Sequence, residues 1–293
     1  MADDRVAGTV VVGVVDAEGQ HRVVRLAAEE AERRGTGLRI LHAVEWPLPS
    51  GTSGEGAADE TYVNRAERVT APFAATVMRE FPQLSVAVEL VTGSPTAALV
   101  DRSEEAALIV LGHRGTGGFA RLPLGSVSLQ VATHAACPVV VARPGGRAER
   151  DNRVVVGVDV HDVRPAVLDF ALHAAAIRGA ALDVLHASTA PSLLATGPAG
   201  PLRVGHETAV DAEQNPLEEV VAPFRAAYPD LEVRVRAEHG HPARVLVDAA
   251  RRAELLVVGT HGRTGLKRLL LGSVSGEVLH AAECTVAVVP AER

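Results

Sequence analysis

Short runs of Val, Leu and Ile recur along the chain, separated by segments whose apolar residues repeat with a helical period. In each half their order predicts strand, helix, strand, long loop, helix, strand, helix, strand, helix, strand. The predicted strands are residues 9–14, 38–43, 85–91, 108–111 and 138–142 in the first half, and 154–158, 182–186, 232–237, 255–258 and 285–289 in the second. Such alternation predicts an α/β fold with a parallel sheet and right-handed crossovers.

The second half repeats the first. The matched pairs are Gly13 with Gly157, Gly35 with Gly179, His42 with His186, Pro82 with Pro229, Gly93 with Gly240, and Pro95 with Pro242. After an Ala-Pro-Phe shared by residues 71–73 and 222–224, the first half has four more residues before its aromatic-Pro pair. We therefore expect the second helix of the first half to be one turn longer.

The 293 residues fit two domains of ordinary size. We expect a first domain at 1–145, a linker at 146–152, where turn formers and charges replace apolar periodicity, and a second domain at 153–293. Residues 46–60 and 188–215 are rich in Gly, Pro, Ser and Thr and are predicted as long loops. Flexible lids near a site and plain surface loops are equally compatible with them.

Composition narrows the class further. Apolar residues make up 47% of the chain and aromatic residues 3%, which favours a Val, Leu, Ile and Ala core. No apolar run approaches the roughly 20 residues of a membrane-spanning helix, so we expect no membrane partner. The acidic start lacks the features of a secretory signal, which favours a cytoplasmic location. The net charge of −7 argues against a nucleic-acid partner.

Cys137 and Cys284 occupy equivalent places and are predicted as buried structural thiols.

One glycine pattern occurs twice, a GxxG followed by nine residues and then Gly-Ser. Its positions are Gly112, Gly115, Gly125 and Ser126, and again Gly259, Gly262, Gly272 and Ser273. Each copy begins where the fourth strand ends, on the rim where parallel sheets bind ligands, and its Gly-Ser opens a helix whose free amides favour an anion. A triphosphate chain suits that geometry. The alternative is that the glycines only end strands and permit helix entry, without a ligand.

Other chemistry finds less support in the sequence. There is no GxxxxGK[ST] motif of a P-loop, and no GxGxxG motif of a dinucleotide fold follows either first strand. The GxSxG motif of hydrolases is also absent, because residues 272–276 have Val at the nucleophile position. His42 and His186 are interpreted as histidines hydrogen-bonded to backbone. His239 and His241 are weak metal candidates, because Thr92 and Ser94 replace them in the first half and no third ligand is evident. Next to the second motif glycine, Arg114 and Arg263 are candidates for a phosphate contact or for solvated loop charges, and the former is favoured for Arg263.

Four segments of the second half, residues 155–159, 185–187, 259–265 and 271–275, closely resemble the universal stress protein family. The resemblance covers nearly the whole chain as two tandem domains, and the glycine pattern marks the ATP-binding branch. It implies two open parallel five-stranded sheets with helices on both faces and strand order 3-2-1-4-5. It also implies pairing through the last strands, which predicts an intrachain pseudo-dimer and a homodimer.

By the same resemblance, the second half binds ATP through residues matching the family's motif. Asp159 would meet the adenosine part, and the backbone of Ala187 would meet the adenine edge. Gly259 and Gly262 would approach the ribose and phosphates, and Gly272, Ser273 and Val274 would bind the phosphate chain, with Mg²⁺ accompanying it. The corresponding candidates in the first half are Asp16, Ala43, Gly112, Gly115, Gly125, Ser126 and Val127.

The first half departs from the pattern at its adenosine end. A gapless alignment places Val15 opposite Asp159 and displaces Asp16 by one residue. Because successive side chains of a strand point to opposite faces, this displacement puts the reach of Asp16 to the ligand in doubt. We hypothesise that both halves bind ATP and that the first half binds it more weakly.

The leading functional hypothesis is a nucleotide-dependent regulatory protein of the stress response that works with unidentified protein partners. The sequence has no paired carboxylates, Ser-His-Asp set or activated Cys placed for catalysis, so we expect a non-enzyme with at most slow ATP hydrolysis. One alternative is a true ATPase or nucleotidyl-transfer enzyme of related fold. The other is an interaction module that binds no nucleotide.

Overall fold

The computed structural model describes residues 8–16, 19–44, 55–113, 124–143, 151–189, 206–260 and 271–290, and for residues 55–63, 65 and 206–214 it describes only the backbone. The chain forms two compact units, Met1–Pro144 and Gly145–Glu292. The assignment of residues 146–152 to a linker stays a prediction.

Both units contain the predicted succession of elements. The first contains β1 (Val10–Gly13), α1 (Gln20–Arg33), β2 (Leu38–Val44), α2 (Glu55–Glu80), β3 (Val86–Thr92), α3 (Pro95–Arg102), β4 (Leu108–Gly112), α4 (Ser126–His134) and β5 (Val139–Ala142). The second contains β6 (Arg153–Gly157), α5 (Pro165–Ala176), β7 (Ala181–Ser188), α6 (His206–Ala227), β8 (Val233–His239), α7 (Pro242–Ala249), β9 (Leu255–Gly259), α8 (Ser273–Ala281) and β10 (Thr285–Val289).

The strand order confirms the predicted fold class. It is β3-β2-β1-β4-β5 in the first unit and β8-β7-β6-β9-β10 in the second, with parallel neighbours throughout each. Right-handed crossovers place the first two helices of a unit on one face and the next two on the other. The contacts of α1 with α2 and of α3 with α4 agree with this arrangement.

Central and edge strands differ in burial. Central strand β1 is apolar on both faces, and Val10, Val11 and Val12 are at most 1% exposed. Edge strand β8 alternates, with Val233, Val235 and Ala237 less exposed than Arg234 and Arg236. A sheet edge covered on one face explains the alternation.

Two of the repeated glycine pairs have clear structural causes. A Cβ on Gly13 would lie 2.7 Å from Leu111 Cδ2, and one on Gly157 would lie 2.7 Å from Leu246 Cδ1. Gly35 and Gly179 follow α1 and α5 with φ of 64° and 58°, a left-handed conformation that favours glycine at helix ends. Gly13 and Gly157 thus contact leucine side chains closely, and Gly35 and Gly179 make turns, so both pairs have structural reasons apart from any ligand.

Two local predictions are confirmed. Helix α2 has 26 residues and α6 has 22, so the first unit's second helix is one turn longer. Cys137 and Cys284 are buried, at 1% and 2% exposure.

The predicted long loops were too long. Residues 55–60 belong to α2 and residues 206–215 to α6, and Ser188 still belongs to β7. The second predicted loop ended just before Pro216, but this proline lies inside α6, which continues past the missing N–H. The remaining parts of the two loops, and with them the lid interpretation, lie outside the described residues.

None of the helices in the described ranges combines the length and apolar character that crossing a membrane requires.

Candidate nucleotide-binding site

In each unit the carboxyl ends of two neighbouring strands meet where the strand order reverses. In the first unit β1 pairs with β4, with Val12 opposite Val110, and in the second β6 pairs with β9, with Val156 opposite Val257. A parallel sheet opens a crevice at this switch point, and ligands bind there. Gly112 and Gly259 are the last residues of β4 and β9, so the glycine pattern begins at this crevice.

Backbone hydrogen bonds bring the two ends of each glycine pattern together. The N–H of Gly125 donates to the carbonyl of His113 at 2.7 Å, and the N–H of Gly272 donates to that of Thr260 at 2.8 Å. The acceptor residue directly follows the strand-ending glycine in both cases. The first and last glycines of the pattern are therefore neighbours in space, although twelve residues separate them in sequence.

A second serine in each copy fixes the helix to the strand. Ser128 Oγ donates to the carbonyl of Gly112 at 2.7 Å, and Ser275 Oγ makes the equivalent short bond to the carbonyl of Gly259. Both serines are buried. The sequence interpretation missed them, although the Gly-Ser-Val-Ser repeat was a signal for them.

The helices α4 and α8 begin at the rim with first-turn amides that no side chain caps. Gly125 and Gly272 are their N-caps, and neither helix has a side-chain cap. Ser126 and Val127 open α4, and Ser273 and Val274 open α8. Their N–H groups have no partner within the helix and lie at the positive end of its dipole, so they can receive an anion.

In the second unit a small concavity brings two predicted site residues together, Asp159 and Gly259. Its lining residues are Gly157, Val158, Asp159, Asp162, Arg164, Val167 and Gly259. Asp159 follows β6 in a tight turn, where its Oδ1 accepts from the amide of His161 at 3.0 Å and its carbonyl accepts from the amide of Asp162 at 3.1 Å. The turn holds the Asp159 carboxylate in place with oxygen lone pairs to spare.

The concavity also contains an arginine that the sequence interpretation missed. Arg164 is the N-cap residue of α5, and its Nη2 donates to Asp162 Oδ2 at 2.7 Å. Its Nε has no hydrogen-bond partner among the described residues. The repeat gave no signal for this arginine, because the equivalent residue of the first half is the neutral Gln20.

The first unit has the same backbone at this point with different side chains. The N–H of Val14 donates to the carbonyl of Leu41 at 2.9 Å, and that of the equivalent Val158 donates to the carbonyl of Leu185 at 3.0 Å. The gapless alignment is therefore correct up to this residue. Val15 then occupies the place of Asp159, and Asp16 comes one residue later.

His42 and His186 bind backbone, as predicted. His42 Nδ1 lies 2.8 Å from the carbonyl of Val14, and His186 Nδ1 lies 2.9 Å from that of Val158. A carbonyl can only accept, so Nδ1 carries the proton in both residues. In the second unit this bond anchors the residue directly before Asp159 and thereby positions the acid.

The alanines predicted to face the adenine edge lie near the carboxyl ends of their strands. Ala43 pairs with Val91 in the register of β2 and β3, and Ala187 pairs with Glu238 in that of β7 and β8. Both stand on the same rim as the glycines. Four other predicted residues, Arg114, Gly115, Gly262 and Arg263, lie outside the described residues.

The weak metal candidates separate in the structure. His239 Nδ1 lies 3.3 Å from Ser188 Oγ, whereas His241 Nδ1 lies 3.6 Å from Glu277 Oε2. Within the part of the chain that the structure describes, no three His, Cys, Asp or Glu side chains are grouped to hold a metal ion.

Comparison with known proteins decides the family. The profile of the universal stress protein family matches residues 7–143 and again residues 152–290. The chain belongs to the universal stress protein family. The two matches each contain one copy of the glycine pattern, so both units are members of this family by themselves.

Curated relatives match over the full length. A universal stress protein of Mycobacterium tuberculosis is 32% identical over 296 residues, covering 98% of this chain and 99% of its own. One of Mycolicibacterium smegmatis is 31% identical over 287 residues, covering 96% of each chain. Among solved structures, a universal stress protein from Archaeoglobus fulgidus covers 97% of this chain and 96% of its own with a TM-score of 0.69 at 20% identity. That last similarity supports the tandem fold.

Proposed function

We propose that this protein binds ATP at the rim of each unit, more tightly in the second, and acts as a nucleotide-dependent regulatory protein in the stress response. One observation carries the proposal. Asp159 and Gly259 line a single concavity, and the N–H of Gly272, the N-cap of α8, donates to the carbonyl of the residue after Gly259, which places the free first-turn amides of α8 beside it. An acid for the nucleoside and free amides for the phosphates thus belong to one crevice.

The phosphate end relies on backbone. The amides of Ser273 and Val274, at the start of α8, would bind phosphate oxygens, and the Ser273 hydroxyl would add a hydrogen bond. Gly272 would allow the chain to approach the phosphates because it has no Cβ. The first unit offers the same set in Gly125, Ser126 and Val127.

The adenosine end relies on side chains and therefore differs between the units. The Asp159 carboxylate can accept from ribose hydroxyls, and Val15 at the equivalent place cannot. Arg164 donates one hydrogen bond to Asp162 and has further N–H donors for an acceptor on the nucleoside. The equivalent Gln20 is neutral and 4% exposed. These differences favour tighter binding by the second unit.

Mg²⁺ would be bound mainly through the nucleotide. The described residues offer no cluster of protein ligands for it, and Mg²⁺ commonly keeps several waters while bridging phosphates. It would offset the charge of the phosphate chain.

The two carboxylates of the concavity are both held by protein donors, Asp159 by the His161 amide and Asp162 by Arg164. Neither is an isolated base, so we expect at most slow ATP hydrolysis. A turnover of about 1 s⁻¹ or faster, in the range of ordinary enzymes, that Asp162→Asn abolishes would support the ATPase alternative instead.

Native mass spectrometry of the freshly purified protein, followed by calorimetry with ATP and with GTP in Mg²⁺, tests the proposal. We expect an adenine nucleotide on the chain, up to two per chain, with two unequal affinities for ATP and weaker binding of GTP. The same spectra report the predicted homodimer. Absence of any nucleotide, before and after ATP is added, would support the interaction-module alternative.

A further inference from the structure

At the opposite end of the second sheet from Gly259 lies a cavity of about 370 Å³. Charged side chains of three strands line it, Arg153 at the start of β6, Asp183 near the start of β7, and Arg234 and Arg236 on β8. In the strand register Asp183 lies opposite Arg234, and Leu185 opposite Arg236. Side chains in register share a face of the sheet, so the charges project into one space.

Asp183 organises the arginines. Its Oδ1 accepts from Arg153 Nη1 at 2.6 Å and its Oδ2 accepts from Arg236 Nη2 at 3.2 Å. The Asp183 side chain is 5% exposed, whereas those of Arg153 and Arg236 are 24% and 47% exposed. The buried carboxylate therefore orients two guanidinium groups that still reach solvent.

The first unit differs at the helix residue that lines the space. Its α3 ends in Arg102, whose side chain reaches across to Glu89, with Nη2 2.6 Å from Oε1. At the same helix position α7 ends in Ala249, which lines the cavity. An alanine at this position leaves room that the longer arginine would partly fill, and the cavity's 370 Å³ lies within the range of small-molecule sites, about 300–1,000 Å³.

We propose that this cavity binds a compact oxyanion with two or more negative charges. Asp183 neutralises only one of the three arginines that line the cavity. Asp151, the other carboxylate of the lining, is already paired with Arg252 at 3.2 Å. The partners of Arg234 and Arg236 at the surface, Glu232 and Glu238, are 60% and 41% exposed, and such exposed pairs are weak enough for a ligand to displace.

The ligand class follows from the donors. Guanidinium groups bind phosphate and carboxylate oxygens through paired N–H donors, so phosphate esters and polycarboxylates share the required chemistry. The site is separate from the rim at Gly259, so it does not depend on the proposed nucleotide function.

Calorimetry of the full chain with inorganic pyrophosphate, and separately with citrate, tests the proposal. The background carries Gly125→Glu and Gly272→Glu, which remove anion binding at the two rims. We expect one site per chain for at least one probe, weakened on the order of tenfold by Arg153→Gln or Arg236→Gln. Ala249→Met should weaken it as much by filling the cavity without changing charge. The probe that follows this pattern identifies the oxyanion class.

Arg251→Gln is the matched control, because Arg251 is a 69% exposed neighbour that pairs with Asp248 outside the cavity lining. Circular dichroism confirms that each variant is folded, and Ala249→Met keeps the test valid if an arginine variant is not. The proposal is overturned if neither probe binds, if Ala249→Met binds as tightly as the background, or if Arg251→Gln weakens binding as much as Arg236→Gln.

Discussion

Each unit has a carboxylate between two arginines at an equivalent position of its sheet. The carboxylate lies on the third strand in the first unit and on the second strand in the second unit. In the first unit Arg39 on β2 binds Glu89 on β3, with Nη1 3.1 Å from Oε2. In the second Asp183 on β7 binds Arg236 on β8. Asp183 is the equivalent of Arg39 and Arg236 that of Glu89, so the charges are inverted within a shared backbone plan.

The supporting arginine shows how such an inversion is tolerated. Glu89 also binds Arg102 from α3, whereas Asp183 also binds Arg153 from β6. Arg102 is replaced by Ala249 in the second unit, and Arg153 by Thr9 in the first. In each unit a second arginine from another element binds the carboxylate, and in the second unit the helix residue equivalent to Arg102 is Ala249, which lines the cavity. The rims differ in a similar way: their backbone is shared, but Val15 and Gln20 of the first unit stand where the second has Asp159 and Arg164.

The largest expected effect comes from Gly272→Glu, which should weaken ATP binding at the tighter site by about 100-fold or more. A carboxylate at the start of α8 would occupy the anion position and repel the phosphates. Calorimetry with ATP and Mg²⁺ measures this. Gly276→Glu is the control on the same helix, since a Cβ there meets no atom within 4 Å. If Gly125→Glu removes the tighter site instead, the assigned order of the two units is wrong.

Exchanging the residues at positions 159 and 15 should lower the ATP affinity of the second unit and raise that of the first. In a Gly125→Glu background, which leaves only the second rim, Asp159→Val should weaken ATP binding about tenfold through loss of charge-assisted hydrogen bonds. In a Gly272→Glu background, Val15→Asp should strengthen it. Calorimetry reads both, with Asp230→Val in an exposed turn as control. An unchanged affinity in Asp159→Val would remove the adenosine role of this acid.

A smaller effect is expected from Arg164→Gln, which gives the second unit the first unit's residue. Loss of one or two nucleoside hydrogen bonds should weaken ATP binding about fivefold, measured in the Gly125→Glu background. The reverse change, Gln20→Arg, should give no gain while Val15 remains. Equal or tighter binding by Arg164→Gln would show that this arginine only pairs with Asp162.

The smallest effect concerns acid stability of the first unit. The hydrogen bond from Arg102 lowers the pKa of Glu89, with the charges of Arg102 and Arg39 adding to it against partial burial. A carboxyl whose folded pKa lies below its unfolded value of about 4.3 stabilises the fold above that value. The contribution is then lost as the pH falls through the folded pKa.

Glu89→Gln should therefore destabilise the first unit at pH 7 by at most about 1 kcal/mol, because the ion pair is partly exposed and screened. The difference from the unchanged chain should vanish in acid. Hydrogen exchange of β2 and β3 amides in the full chain, at pH 7 and in acid, measures it. Glu104→Gln in the following turn is the control, and a difference that persists in acid would contradict the assigned cause.

Much of the fold could be predicted because its signals are local. The apolar runs identified all ten strands to within a few residues, and the four extra residues after Phe73 identified the longer α2. The start of α6 was missed: the predicted loop reached residue 215, whereas the helix begins at His206 and contains Pro216, a residue that is disfavoured in helix interiors.

In the candidate site, too, the residues with local sequence signals were predictable and the others were not. Asp159 and Gly259 could be named in advance, because each ends or follows a strand and resembles a family motif. Ser275 and Arg164 could not be assigned so readily, because their roles depend on which carbonyl or carboxylate lies beside them in space. The same holds for the cavity beside Ala249, whose lining includes charged side chains from three strands that meet only in the folded sheet.

The sequence by itself determined the duplication, the α/β class and the residues that end at the two rims, since periodicity and repeated spacing act through the local backbone. Only the tertiary structure decided which charges meet. Asp183 and Arg236 are far apart along the chain and adjacent in the sheet. Their pairing depends on the register of β7 with β8 and on side-chain directions in β6, β7 and β8. No single segment of the sequence encodes that register or those directions.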